Sequence, residues 1–166
     1  MADVLDTIKR YTHTAPVDVE AIASDLGINV VRDRLGPKIS GKIQKDSSGR
    51  YTIVVNADES PVRQRFTIAH EIAHYLYHRD LIGDGVADSP AYRAPDMAVY
   101  GGTQLLPRHE TQANQFAANI LMPKDLVRVI ETKYPGIPLE QLAEKLDVSV
   151  PALRVRKGQN AYFDPA

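Results

Sequence analysis

Apolar residues recur along this chain with two different spacings, and the switches between them outline its elements. From Val17 to Leu26 the residues Val19, Ile22, Ala23 and Leu26 share one helical face, and Gly27 follows as a stop. Ile28 to Val31, Ile39 to Ile43 and Tyr51 to Val55 are short β-branched runs that read as strands. The polar stretch Lys45 to Arg50, with Gly49 inside it, separates the last two and predicts an antiparallel hairpin. Ser60-Pro61 then supplies an N-cap and a proline at the first helical position, so a helix is expected from there to about His78. On it Val62, Phe66, Ala69, Ala73 and Leu76 form an apolar stripe that Ile68, Ile72 and Tyr75 widen. A helix apolar around so much of its circumference is expected to be buried. His70 and His74 fall outside the main stripe, and polar rings in such a setting require a chemical reason.

Residues 79 to 108 carry four glycines and three prolines and keep no period. A stretch of this length without clear structure often forms a cleft wall or lid. Helical patterning returns from Glu110 to Leu121 and stops at Met122-Pro123. Short helices follow, the last pair spanning Leu139 to Leu146 and roughly Val150 to Lys157. The pattern predicts an α+β chain, mainly helical, with a small antiparallel sheet. Residues 1–123 would form the core and 124–166 a C-terminal helical segment packed on it or continuous with it.

Composition narrows the chemistry. The 166 residues include no cysteine, which excludes disulfides, thiol nucleophiles and thiolate metal sites. The start, MADVLDTIKRYT, lacks the basic and apolar regions of a secretory signal, and no apolar run approaches the ~18 residues that span a bilayer. A cytoplasmic protein is expected. A formal charge of −1 gives no global electrostatic reason to bind nucleic acid.

The segment His70-Glu71-Ile72-Ala73-His74 is HExxH. Histidines four apart on a helix point the same way and can present two ring nitrogens to one metal. The intervening glutamate lies close enough to take a proton from a water that the metal acidifies. A third protein ligand is needed, and three residues compete for the role. His78 continues the row, but on an unbroken helix it stands ~12 Å along the axis from His70. It reads instead as a cation near a helix C-terminus. Glu110 opens the next helix and could reach across, completing two histidines and a carboxylate with a fourth position open. Asn114, one turn on, could hold a ligand histidine by its other ring nitrogen. His109 is an alternative ligand or a donor on the substrate side.

Arg65-Phe66-Thr67-Ile68-Ala69 running into HEIAHYLYH, then Glu110 to Ala118 (ETQANQFAA) and Leu121-Met122-Pro123, resembles the ImmA/IrrE family of metallopeptidases. The opening Pro16 to Glu20, Gly27, the Ser40-Gly41 turn and Val54-Val55-Asn56 are similar to it as well. The likeness covers roughly residues 15 to 157. It implies a thermolysin-like (zincin-like) core, one zinc ion per chain held by His70, His74 and Glu110, and Glu71 as general base. It also implies cleavage of a helix-turn-helix (Xre-type) repressor or antitoxin-like partner. With the chain ending at Ala166 and no sensor domain following, an activating signal would have to act on this domain, on the substrate or through another protein.

Leu139 to Gln159 itself reads as helix-turn-helix-like, although Asp147 stands where such turns commonly carry glycine. Arg154, Arg156 and Lys157 could touch phosphates there. The near-neutral charge of the segment argues for protein recognition or packing and against direct DNA binding. A non-catalytic regulatory module with a structural or vestigial metal site is the rival reading. Glu71 weighs against it, since a structural site needs no base.

Overall fold

The computed structural model describes residues 2–82, 86–90 and 105–158. Helices α1 (Ala2–Lys9) and α2 (Val19–Asp25) precede strands β1 (Asn29–Asp33), β2 (Ile39–Lys45) and β3 (Tyr51–Asn56). The long α3 (Pro61–Tyr77), a single turn α4 (Arg79–Ile82) and strand β4 (Val86–Pro90) come next. Helices α5 (Pro107–Leu121), α6 (Lys124–Lys133), α7 (Leu139–Leu146) and α8 (Val150–Gly158) complete the described chain. The expected α+β, mainly helical character is what the structure has. Its β4 and α4 lie in the stretch that the sequence reads as irregular.

The sheet has the order β1-β3-β2-β4 and is mixed, which corrects the expected antiparallel sheet. The hairpin is as expected, β2 pairing antiparallel with β3 and Ile43 facing Ile53. On the far side of β3, however, β1 runs parallel to it, with Val31 opposite Val54. A parallel pair needs a return crossover, and here β2 itself provides it. The chain leaves β1, reverses through residues 34–38, descends as β2 and comes back as β3 between the two. Asn56 fixes that reversal, donating from Nδ2 to the carbonyls of Gly36 (2.8 Å) and Ile39 (2.7 Å) while only 2% exposed.

The helix α3 lies at the centre. It starts as the sequence predicts: Ser60 accepts a bond from the Arg63 N–H and Pro61 occupies the first turn. Every residue from Thr67 to His74 is buried, because β2 and β3 cover one side and α2 and α5 others. Ile68 and Ile72 pack with Ile43, Ile53 and Val55 from the sheet and with Phe116 and Ile120 from α5. Gly41 lets α3 approach the sheet closely. A Cβ there would sit 2.9 Å from the Val54 carbonyl oxygen and closer still to the Thr67 methyl.

The C-terminal helices contribute Leu142, Leu146 and Leu153 to the same apolar cluster. Two polar contacts tie them down: Arg65 Nε donates to the Asp147 carbonyl at 3.1 Å, and Arg156 Nε to the Met122 carbonyl at 3.0 Å. Asp147 takes the left-handed conformation (φ 54°, ψ 50°) that ends α7. Glycine is the usual residue there, and aspartate is among the few others that adopt it readily.

Candidate metal centre

The seam between α3 and α5 carries the polar residues. His70, Glu71 and His74 are all fully buried there, in the middle of the most covered part of α3. Opposite them α5 begins at Pro107, and the His109 Nδ1 accepts the Leu106 N–H at 2.8 Å, which closes the first turn. That turn delivers Glu110 to the two imidazoles. Its Oε2 stands 3.0 Å from His70 Nε2 and its Oε1 3.1 Å from His74 Nε2. The two Nε2 atoms are themselves 3.0 Å apart.

The donor set fits a metal ion on chemical grounds. Asn114 Oδ1 lies 2.8 Å from His70 Nδ1 and can only accept, so that ring nitrogen carries the proton. A neutral His70 then has a bare lone pair at Nε2, aimed at a carboxylate oxygen and at a second imidazole nitrogen. Such a convergence of acceptors in a buried seam is repulsive unless a cation lies among them. The separations also suit the purpose, since ligands at zinc distances of ~2.0–2.1 Å stand roughly 3.3 Å apart around a tetrahedron. Among the described residues His70, His74 and Glu110 are the group whose ligand atoms meet in this way.

The electrostatics agree. Burial holds His70 down to about 4, so it is neutral at pH 7 and free to ligate. At His74 burial also works against charge, but the hydrogen bond to Glu110 and the charges of Glu71 and Glu110 outweigh it and raise the pKa. Burial disfavours the Glu110 carboxylate too, yet the imidazole pair beside it, with His74 as the ring that takes a proton, prevails and holds it at about 2. In the metal-free protein, then, the site favours a proton on His74 where a cation would otherwise lie.

The other candidates are placed differently. His78 is only 4% exposed, and burial pushes its pKa down, so it is not the helix-terminal cation that the sequence suggests. Its Nδ1 faces His74 Nδ1 at 2.9 Å and its Nε2 faces Gln112 Oε1 at 2.8 Å. Gln112 was not singled out in the sequence, and no spacing rule would have found it. His109 stacks beside His78 with ring centroids 4.7 Å apart and lies outside the group of converging ligand atoms. A tyrosine of the 79–108 stretch could donate to an oxyanion, but Tyr92 and Tyr100 lie outside the described residues. Tyr75 packs edge-on against Tyr51, and Tyr77 against Phe116. At the C-terminal end, the buried Arg156 points inward to the Met122 carbonyl, and the exposed Lys157 pairs with Glu131 at 3.1 Å.

Comparison with known proteins adds independent information. The profile of the IrrE N-terminal-like domain matches residues 23–157. The radiation response metalloprotease IrrE of Deinococcus deserti is 38% identical over 101 residues, covering 60% of this chain and 33% of that protein. The protein of the same name from Deinococcus radiodurans is 36% identical over 99 residues, covering 58% of this chain and 27% of that protein. The matched region therefore spans about a third of these relatives or less. Among solved structures, a Mycobacterium tuberculosis transcriptional regulator superposes with a TM-score of 0.52 at 20% identity, covering 92% of this chain and 46% of that one. The last likeness concerns the fold.

Proposed function

This chain belongs to the IrrE N-terminal-like domain family, and we propose that it is a zinc-dependent endopeptidase that cleaves a helix-turn-helix repressor in the cytoplasm. One observation carries the reading: two imidazoles and a carboxylate converge in the same buried seam that holds Glu71. His70, His74 and Glu110 would hold the zinc. A purely structural centre has no use for a second buried carboxylate beside its ligands.

A bound zinc ion supplies Lewis acidity, polarising the scissile carbonyl and making an adjacent water easier to deprotonate. Glu71 accepts that water's proton as its oxygen attacks the carbonyl carbon. Glu71 then delivers the proton to the leaving nitrogen as the C–N bond breaks, so the base is regenerated. Its place favours this role, because the buried carboxylate already acts on His74 through its charge. Neutral His70 and ionised Glu110 need no change of protonation on binding metal at pH 7.

The substrate class rests on the resemblance to ImmA/IrrE peptidases. The inward-facing Arg156 and the paired Lys157 support a C-terminal segment that packs or meets protein, with direct DNA binding disfavoured. The test is incubation with candidate helix-turn-helix repressors, comparing wild type with Glu71→Gln while zinc content is measured in parallel. The variant should keep its zinc and lose at least ~10²-fold in cleavage rate. Cleavage by the variant at the wild-type rate would remove Glu71 from the mechanism. A wild type that binds the repressor tightly and never cuts it would establish the non-catalytic alternative.

A further inference from the structure

We propose that His78, oriented by Gln112, is a positioning residue for the metal centre, fixing His74 in the tautomer whose Nε2 faces the metal. The inference rests on the reading of His74 as a ligand and adds two residues to it. His78 follows His74 by one helical turn, and its Nδ1 meets the Nδ1 of His74, on the side of that ring away from Glu110. It therefore lies behind the ligand.

The proton order follows from donor chemistry. Gln112 Oε1 has no proton to give, so the His78 Nε2 at 2.8 Å is the donor. A neutral His78 then offers only a lone pair at Nδ1. The contact of 2.9 Å to His74 Nδ1 is a hydrogen bond only if His74 carries its proton there. In a neutral, ligating His74 the bare nitrogen is then Nε2, which stands 3.1 Å from Glu110 Oε1 and 3.0 Å from His70 Nε2. The arrangement repeats on His74 what Asn114 does for His70, so each imidazole is oriented from behind and α5 anchors both supports. Partners of this kind fix the ring and raise its basicity, and their loss costs ~10–100-fold in metal affinity. A buried imidazole with two ordered partners also answers why His78 is tolerated in the seam.

The experiment is zinc affinity, measured with the metal alone by competition against a chromophoric chelator. The variants are His78→Ala, His78→Asn and Gln112→Leu, with His13→Ala, at an exposed histidine outside the seam, as control. Asparagine places its amide oxygen where the histidine has Nδ1, so it can accept the same proton. His78→Ala is expected to weaken zinc binding by ~10–100-fold, His78→Asn to recover most of that loss, and Gln112→Leu to weaken binding in the same direction. His13→Ala should leave it unchanged. Long-range proton–nitrogen spectra of the zinc-loaded wild type should show His74 protonated at Nδ1. Unchanged affinity in His78→Ala, or equal losses in His78→Ala and His78→Asn, would reduce His78 to packing and overturn the proposal. If His78→Ala fails to fold, the asparagine and Gln112→Leu variants decide alone. A wild type that binds no zinc would instead remove the metal centre, and this inference with it.

Discussion

Replacing Glu110 by glutamine separates the two tasks proposed for its carboxylate. The amide keeps the volume and removes the charge from a side chain that is 12% exposed and lies 3.0 and 3.1 Å from the two imidazoles. With zinc present the variant lacks its anionic ligand. Affinity should fall by more than ~10²-fold, the upper end for residues that merely support ligands. In the metal-free protein the same change removes the partner of protonated His74, and the size of that effect can be worked out. The carboxyl ionises near 4.5 in an ordinary setting and at about 2 in the folded protein. Linkage converts the difference into roughly 3 kcal/mol of stability, taken as an upper bound.

The sign follows from each group in turn. Glu110 is depressed on folding, so its contribution is complete above 4.5 and is lost as pH falls through about 2. His74 is raised above 6.5, so its contribution is present below that value and fades as pH rises through its folded pKa. The gap in stability between wild type and Glu110→Gln should therefore be widest at mildly acidic to neutral pH and close at both ends. Urea unfolding of metal-stripped protein across that range measures it, and the same samples give zinc affinity by chelator competition. A gap independent of pH would refute the ion-pair argument. Undiminished zinc affinity would refute the ligand assignment and turn attention to His109.

Other changes probe the supports. Asn114→Leu removes the acceptor that orders His70 Nδ1 and should lower zinc affinity by ~10–100-fold without unfolding the chain; equal affinity would mean that His70 needs no such partner. Gly41→Val forces atoms into the Val54 carbonyl and the Thr67 methyl and should cost about 1–3 kcal/mol in urea unfolding; an unchanged midpoint would show that α3 can stand further from the sheet. Arg65→Met removes the bonds of 3.1 and 3.2 Å to Asp147 and should cost about 1–3 kcal/mol, read by the same assay; a smaller loss would mean that apolar packing alone holds α7 and α8.

How much of this was legible in the sequence depends on whether the information is local. Ser60-Pro61 and the apolar spacing fix α3 almost to the residue, and Gly27, with φ at 77°, ends α2 as read. The β2–β3 hairpin is local too. The parallel pairing of β1 with β3 is not, because nothing within Asn29–Asp33 names its neighbour, and only the crossover through β2 decides it. Val86–Pro90 contains an aspartate and ends in proline, so strand propensity alone would not find β4. The same division runs through the site. The i, i+4 spacing of His70 and His74 places them together within one helix. Choosing among Glu110, His109 and His78 needs the packing of α5 on α3. His78 was misread because a histidine near a helix end is usually exposed, and here α5 covers it.

The packing of two helices explains how so polar a seam survives in an apolar core. Positions four apart rise about 6 Å along a helix, so His70 and His74 on α3 match Glu110 and Asn114 on α5 in spacing. Glu110 sits against both rings and Asn114 behind one of them. Every imidazole in the row thus finds its partner on the facing helix or on its own next turn, which offsets the desolvation that each would otherwise suffer. Because its proposed ligands come from helices separated in sequence, the centre can form only when α3 and α5 are docked. A zinc ion bound to the native form alone stabilises it in proportion to the logarithm of free metal over Kd. Chelation should for that reason lower the stability of the whole fold.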